Sequence, residues 1–196
     1  MKFIDQLKEK AKQNKKTIVL PETSDMRTIE AAGKVLAEGI ANIILVGDKE
    51  DIMSRAGDID LSGASFVDPK NYEKFDEYVD AFVEMRRKKG MTEARAKELL
   101  LTNPLYFGCM MVKQDDADGM VAGAINASAD VLRAALQTLK TAPGTRIVSA
   151  FFLVVVPDCQ YGANGTFVFA DAGLNQSPSA SELADIAEQS AKSFEL

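Results

Sequence analysis

Apolar and polar positions along this chain switch between two periods, and the switches mark its elements. Phe3, Ile4, Leu7 and Ala11 form a helical stripe among charges, and Thr17 to Leu20 is a short β-rich run closed by Pro21. Ile29, Ala32, Gly33 and Leu36 then recur at helical spacing, and Asn42 to Val46 reads as a second strand. Strand, helix and strand in that order predict a parallel sheet with a right-handed crossover. Gly47 to Pro69 is polar and loop-rich, and shows no chemistry. Asn71 to Gly90 predicts a helix burying Tyr72, Phe75, Val79 and Phe82; Thr92 to Leu101 predicts another, broken by Asn103-Pro104. Leu105 to Gln114 reads as a buried helix packed on the strand after it, with Met110 and Met111 as core filler and Cys109 buried and inert.

The rest of the chain is arranged around Asp116 to Gly144, which reads as a strand, a glycine-containing turn and a helix. Asp118 to Ala124 is small and apolar, and Gly119 and Gly123 permit close approach of a backbone or a ligand. Leu132, Ala135, Leu136 and Leu139 predict one buried stripe, with Ser128 as the N-cap and Arg133, Gln137 and Lys140 on a second, polar face. The chain changes direction near Pro143 and Gly144. Ile147 to Val156 follows as the most apolar strand, and Asn164-Gly165 signals a hairpin between Gln160-Tyr161 and the strand Thr166 to Ala170. A polar loop, Asp171 to Ser179, leads into a helix from about Ser181 with Leu183, Ile186, Ala187, Ser190 and Phe194 on one face. The fold class is α/β, with a mostly parallel sheet flanked by helices.

Composition narrows the function. With 29 acidic and 23 basic residues the net charge is -6, which argues against nucleic acid and anionic membranes as partners. The apolar run from Ile147 is too short to span a bilayer as a helix. No histidine is present, so imidazole metal sites are excluded and any general base must be Asp, Glu, Lys, Tyr, Cys or a water. Two cysteines without paired spacing suit a reduced cytoplasm.

An anionic substrate would have to be held by a few focused cations. Arg133 sits early in its helix, where the dipole favours anions over cations. Two readings stand: it faces a bound phosphate together with the N–H groups of the turn, or it lies on a solvated face beside Asp130. Arg27 repeats that placement at the start of an earlier helix, which Ser24 or Asp25 can cap. Its loop, Pro21 to Arg27, lies at the carboxyl end of a predicted parallel strand, where ligands collect. The run Arg86 to Lys89 complements a helix C-terminus and would also accept a phosphate-rich ligand.

The strings DADGMVAGA, SADVLRAALQTLKTAPG and VVPDCQYGANGTFVFAD resemble phosphate acetyltransferase, in that family's order and spacing, and the likeness runs from Lys16 to the last residue. The resemblance implies two α/β domains of the isocitrate/isopropylmalate dehydrogenase type, dimerising through the second. The first domain is expected over residues 1–149. The second starts at 150 and is incomplete relative to the family. The implied reaction interconverts acetyl-CoA and phosphate with acetyl phosphate and coenzyme A, by direct thiolate attack in a ternary complex. Coenzyme A is then a substrate, and no cofactor or metal is implied. The implied substrate-binding residues are Arg133, Arg27 and Arg86, with Asn126 and Ser128 beside them; Cys159 and Asp171 fall near the cleft, and the family's catalytic base lies beyond residue 196. A non-catalytic acetyl-CoA- or phosphate-binding or assembly module is the alternative, and phosphate butyryltransferase a lesser one.

Overall fold

The computed structural model describes residues 3–195. Four short strands, β1 (Thr17–Leu20), β2 (Asn42–Val46), β3 (Ser65–Val67) and β4 (Gly119–Met120), pair in parallel in the order β3-β2-β1-β4. Successive residues of a strand point to opposite faces. Ile44 and Val46 accordingly enter one core, and Ile43 and Leu45 the other. Helices cover both faces, which is why these strands are almost continuously apolar. On one face α2 (Met26–Glu38) and α3 (Lys49–Ala56) bury Ile29, Ala32, Ile52 and Ala56. The other carries α4 (Phe75–Arg86), α5 (Glu93–Thr102), α6 (Pro104–Lys113) and α7 (Ser128–Thr138). The first helix, α1 (Phe3–Gln13), buries none of its residues and is joined to α2 by Lys8 and Glu38 at 2.6 Å.

Local chemistry sets the boundaries. Asp25, rather than Ser24, caps α2 by accepting from the Arg27 N–H. Asn103 caps α6, and Pro104 takes the first position, where its missing N–H costs nothing. In α6 every residue from Leu105 to Met111 is buried, Cys109 included. Gly108 lies against the sheet, where a Cβ would stand 2.7 Å from Met120 Sδ and 3.3 Å from Val19 Cγ1.

Three sequence expectations shift. The helix predicted from Asn71 begins at Phe75, because the Asp68 carboxylate winds Lys70 and Asn71 into a turn. Tyr72 therefore lies outside the helix, and Tyr78 is its fully buried tyrosine; both hydroxyls donate to Asp116, which also binds Lys74. The polar stretch read as loop between Gly47 and Pro69 holds both α3 and β3, elements too short and too sparsely apolar to show a period. In α7 the buried stripe is Ala134 and Thr138, with Val131 and Ala135 packed beside them, one position back from the stripe predicted through Leu132 and Leu136. Small residues let α7 approach α6 closely, and Thr138 satisfies its own hydroxyl on the Ala134 carbonyl.

From Thr141 the chain forms a second compact unit. Here β5 (Phe151–Val155) pairs antiparallel with β6 (Thr166–Ala170), Phe151 opposite Ala170 and Val155 opposite Thr166. Asn164 and Gly165 do form a tight turn, with φ 52 and 83, but β6 finds its partner in β5 and not in Gln160-Tyr161. The apolar run supplies a five-residue ladder that a dipeptide cannot match. The last helix, α8 (Ala180–Glu195), buries Ile186 and Ser190. Phe152 and Phe169 on the hairpin remain 65% and 58% exposed, and Leu183 on α8 51%.

Two outcomes follow from this packing. Gly108→Val should overpack the contact of α6 with the sheet and cost about 1–3 kcal/mol, measured by chemical denaturation. Phe152 and Phe169 face each other across the hairpin, and large exposed apolar side chains favour association, so light scattering of the purified chain should show a dimer or larger species; a monodisperse monomer would refute this.

Candidate functional site

In the sheet β1 is flanked by β2 on one side and β4 on the other, and the helices that follow β1 and β4, α2 and α7, pack on opposite faces. The order of strands reverses there. A crevice opens beyond the carboxyl ends of two such strands, and it is the usual ligand position in open parallel sheets. The loops that meet at it are Pro21 to Asp25 and Val121 to Ala127, and they border an open cleft of about 200 Å³ lined by Glu22, Arg27, Thr28, Val121 and Ala124.

Glu22 joins the two loops. Its Oε2 accepts the backbone N–H groups of Gly123 and Ala124, each at 2.6 Å. Its Oε1 accepts those of Ile125 at 3.1 Å and Asn126 at 2.9 Å, and the Asn126 side-chain amide at 2.7 Å. Gly123, at φ 110, supplies the backbone conformation that turns successive N–H groups inward. The Glu22 residue is only 2% exposed. Burial pushes its pKa up, but the hydrogen bonds from Ala124, Asn126 and Ile125 outweigh it and hold the group at about 2.

This arrangement corrects the expectation that the turn's N–H groups face a bound phosphate. They are already engaged by the protein's own carboxylate, and Asn126 is engaged with them. Ser128 is not the N-cap of α7; Ala127, in extended conformation, holds that place without a side-chain bond, and Ser128 opens the helix. The sequence signal for Glu22 was present in its position, one residue beyond Pro21 at the end of β1, but an isolated glutamate gives no spacing to read.

Arg27 is held at the same crevice. It forms two bonds to the Asp25 carboxylate, at 3.0 and 2.7 Å, and donates to the Ala124 carbonyl, while its side chain stays 72% exposed. Hydrogen bonding to Arg27 holds the Asp25 carboxyl below its usual range. Arg133 pairs with Asp130 and is likewise mostly exposed. Tyr106 of α6 packs edge-on against Phe82 of α4 at 5.8 Å and bonds Gln137 of α7, and Arg86 and Arg133 each lie one turn away from those contacts on the same two helices. Burial raises the Tyr106 pKa and both arginines act to lower it, and the Tyr106 hydroxyl donates to Gln137 at 3.2 Å. The buried Nε of Arg86 finds no acceptor among the described residues. Arg87, the neighbour it could be mistaken for, is exposed and paired with Glu84.

The second unit places the other two candidates. Asp171 is turned onto its own loop: it accepts from the N–H groups of Ala150 and Asn175 and from the Asn175 amide, contacts that hold it low despite burial. Cys159 is a free, half-exposed thiol beside Gly165.

A parallel sheet covered by helices on both faces, with a crevice at its switch point and Arg27 held beside it, defines an open-sheet α/β protein. Residues 2–196 match the family described as phosphate acetyl/butaryl transferase, and the chain belongs to that family. It is 53% identical over 196 residues to a phosphate acetyltransferase of Acetivibrio thermocellus, all of this chain and 59% of that protein. A phosphate acetyltransferase of Thermoanaerobacterium thermosaccharolyticum is 53% identical over 191 residues, 97% of this chain and 58% of the relative. Among solved structures, a phosphotransacetylase from Streptococcus pyogenes aligns with TM-score 0.87 and 36% identity, over 100% of this chain and 60% of that one. The chain thus spans about three-fifths of the length of these relatives.

The depressed pKa of Glu22 has a consequence in acid. A carboxylate lowered on folding contributes stability above its unfolded pKa, which is lost as pH falls through the folded value. Stability should therefore decline between about pH 4.5 and pH 2 by roughly 3 kcal/mol through this one group. Urea denaturation at stepped pH checks it: Glu22→Gln should be less stable than the parent at pH 6 and should lose less on acidification.

Proposed function

We propose that this chain supplies the anion-holding part of an acyltransferase that interconverts acetyl-CoA and phosphate with acetyl phosphate and coenzyme A. In the direction of acetyl-CoA formation the coenzyme A sulfur bonds as thiolate to the acetyl carbon of acetyl phosphate, the carbon–oxygen bond to phosphate breaks, and inorganic phosphate leaves. Cations must meet the phosphoryl oxygens, and a base must take the thiol proton. Arg133, Arg27 and Arg86 are assigned the first task, with Ser128 at the head of α7 beside them. The observation that carries this reading is the buried Arg86 Nε, which lacks an acceptor among the described residues, alongside the exposed guanidinium of Arg27 at the crevice. Membership of the family and the names of its relatives support it. The protein works as a homo-oligomer in a reducing cytoplasm, in keeping with its free cysteines. Cys159 takes no covalent part.

One observation favours a second reading, binding of acetyl-CoA or phosphate without turnover. The carboxylates around the crevice are committed as hydrogen-bonded anions: Glu22 to the loop, Asp25 to Arg27, Asp130 to Arg133. A carboxylate held in that way is a poor base for a thiol.

A coenzyme-A-dependent acetyl phosphate assay on the 196-residue chain, with calorimetry alongside, separates the two. Binding of coenzyme A or acetyl phosphate is expected, weakened about tenfold or more in Arg133→Ala through loss of a charge-assisted contact. Turnover that disappears in the variant supports the transferase; binding without turnover supports the module. Binding that Arg133→Ala leaves unchanged would remove Arg133 from the site.

A further inference from the structure

The loop from Gly123 to Asn126 belongs to no strand or helix. Each of its four backbone N–H groups ends on Glu22, and the Ala124 carbonyl between them accepts from Arg27. The shape of the loop and the docking of Arg27 are thus one arrangement. The anchor beneath it is rigid. Pro21, Glu22 and Thr23 are all buried, the Thr23 hydroxyl donates to the Val46 carbonyl at 2.6 Å, and Arg55 donates to the Thr23 carbonyl at 2.6 Å. The carboxylate is therefore fixed by the sheet, and the loop folds onto it. Four inward N–H groups in a row are what a phosphate would otherwise use. Because the protein fills that nest itself, a ligand's charge has to be met by the exposed edges of the arginines.

We propose that Glu22 is a positioning residue, an internal anion that shapes the loop between β4 and α7 and through it orients Arg27 toward a bound phosphate group. The proposal rests on the reading above of Arg27 as an anion-holding side chain. Its sign distinguishes it from other roles. As a bare negative charge near Arg27, Glu22 would oppose an anion, and its neutralisation would tighten binding. As a merely structural residue it would alter stability and leave the affinity of the folded protein alone. As a positioning residue its neutralisation must weaken anion binding although a like charge has been removed.

The test compares the parent with Glu22→Gln and Glu22→Ala at a temperature where circular dichroism shows all three folded. Inorganic phosphate is titrated by calorimetry, and NMR follows the Arg27 Nη2–H signal, which reports the bond to the Ala124 carbonyl, and the exchange of the Gly123 to Asn126 amides. In Glu22→Gln the expected results are phosphate binding weaker by about tenfold, loss of the Arg27 Nη2–H signal that reports the bond to the Ala124 carbonyl, and fast exchange of the four amides. Sodium formate, added to Glu22→Ala, should restore the Arg27 signal by refilling the nest with a carboxylate. Unchanged or tighter phosphate binding in Glu22→Gln would overturn the proposal, as would an Arg27 signal that persists there. If the parent itself binds no phosphate, the reading of Arg27 as a ligand group fails; the Arg27 and amide signals then decide whether Glu22 orients it.

Discussion

The contact between Glu22 and the loop from Gly123 to Asn126 is the interaction on which the crevice depends. Strand β4 is two residues long and offers β1 only two register pairs, so the ladder alone holds the start of the following segment weakly. Taking a carboxylate out of water costs several kcal/mol. Five hydrogen bonds to the charged group offset that cost, because bonds to an ion are worth about 1.5–3 kcal/mol each. The result ties the exits of β1 and β4 together across 100 residues of sequence and sets where α7 begins.

The same contact decides how charge is distributed in an acidic chain. With a net charge of -6 the protein cannot attract an anion by its overall field, and local cations have to do it. Arg27 and Arg133 are each paired with a carboxylate near the start of their own helix and remain largely exposed. That pairing also answers the dipole objection to a cation near a helix N-terminus, since Asp25 and Asp130 supply the negative charge the position prefers. Arg86 differs, its buried Nε finding no acceptor among the described residues, and of the three it has the most to gain from a ligand.

Much of this fold was legible in the residues. The apolar runs of β1 and β2, the break at Asn103-Pro104, the burial of α6 and the turn at Asn164-Gly165 all rest on local chemistry, and each is where the pattern placed it; of Ser24 and Asp25, the structure selects Asp25 as the cap of α2. Two of the misplacements were decided by distant neighbours. Leu132 and Leu136 fit a helical stripe as well as Val131 and Ala135 do, and the choice between stripes one residue apart belongs to the neighbouring helix, which accepts small side chains. Tyr78, rather than Tyr72, is the buried tyrosine of α4, and both hydroxyls are collected by Asp116, 38 and 44 residues away, a partner no local pattern could name.

Arg27 and Arg133 could be singled out from sequence, since a cation in the first turns of a helix is locally unfavourable and so calls for a reason, whereas Arg86, in a last turn that favours cations, was pointed to by the resemblance alone. Family membership was equally readable, from three long strings in order. What the chain alone could not disclose was the occupant of the nest. Backbone N–H groups leave no mark on a sequence, and a glutamate 101 residues before Gly123 carries no spacing that links the two. Local propensities and apolar periods determined which segments become strands and helices; only the packed sheet, by placing β1 beside β4, decided that a buried carboxylate and not a ligand fills the turn.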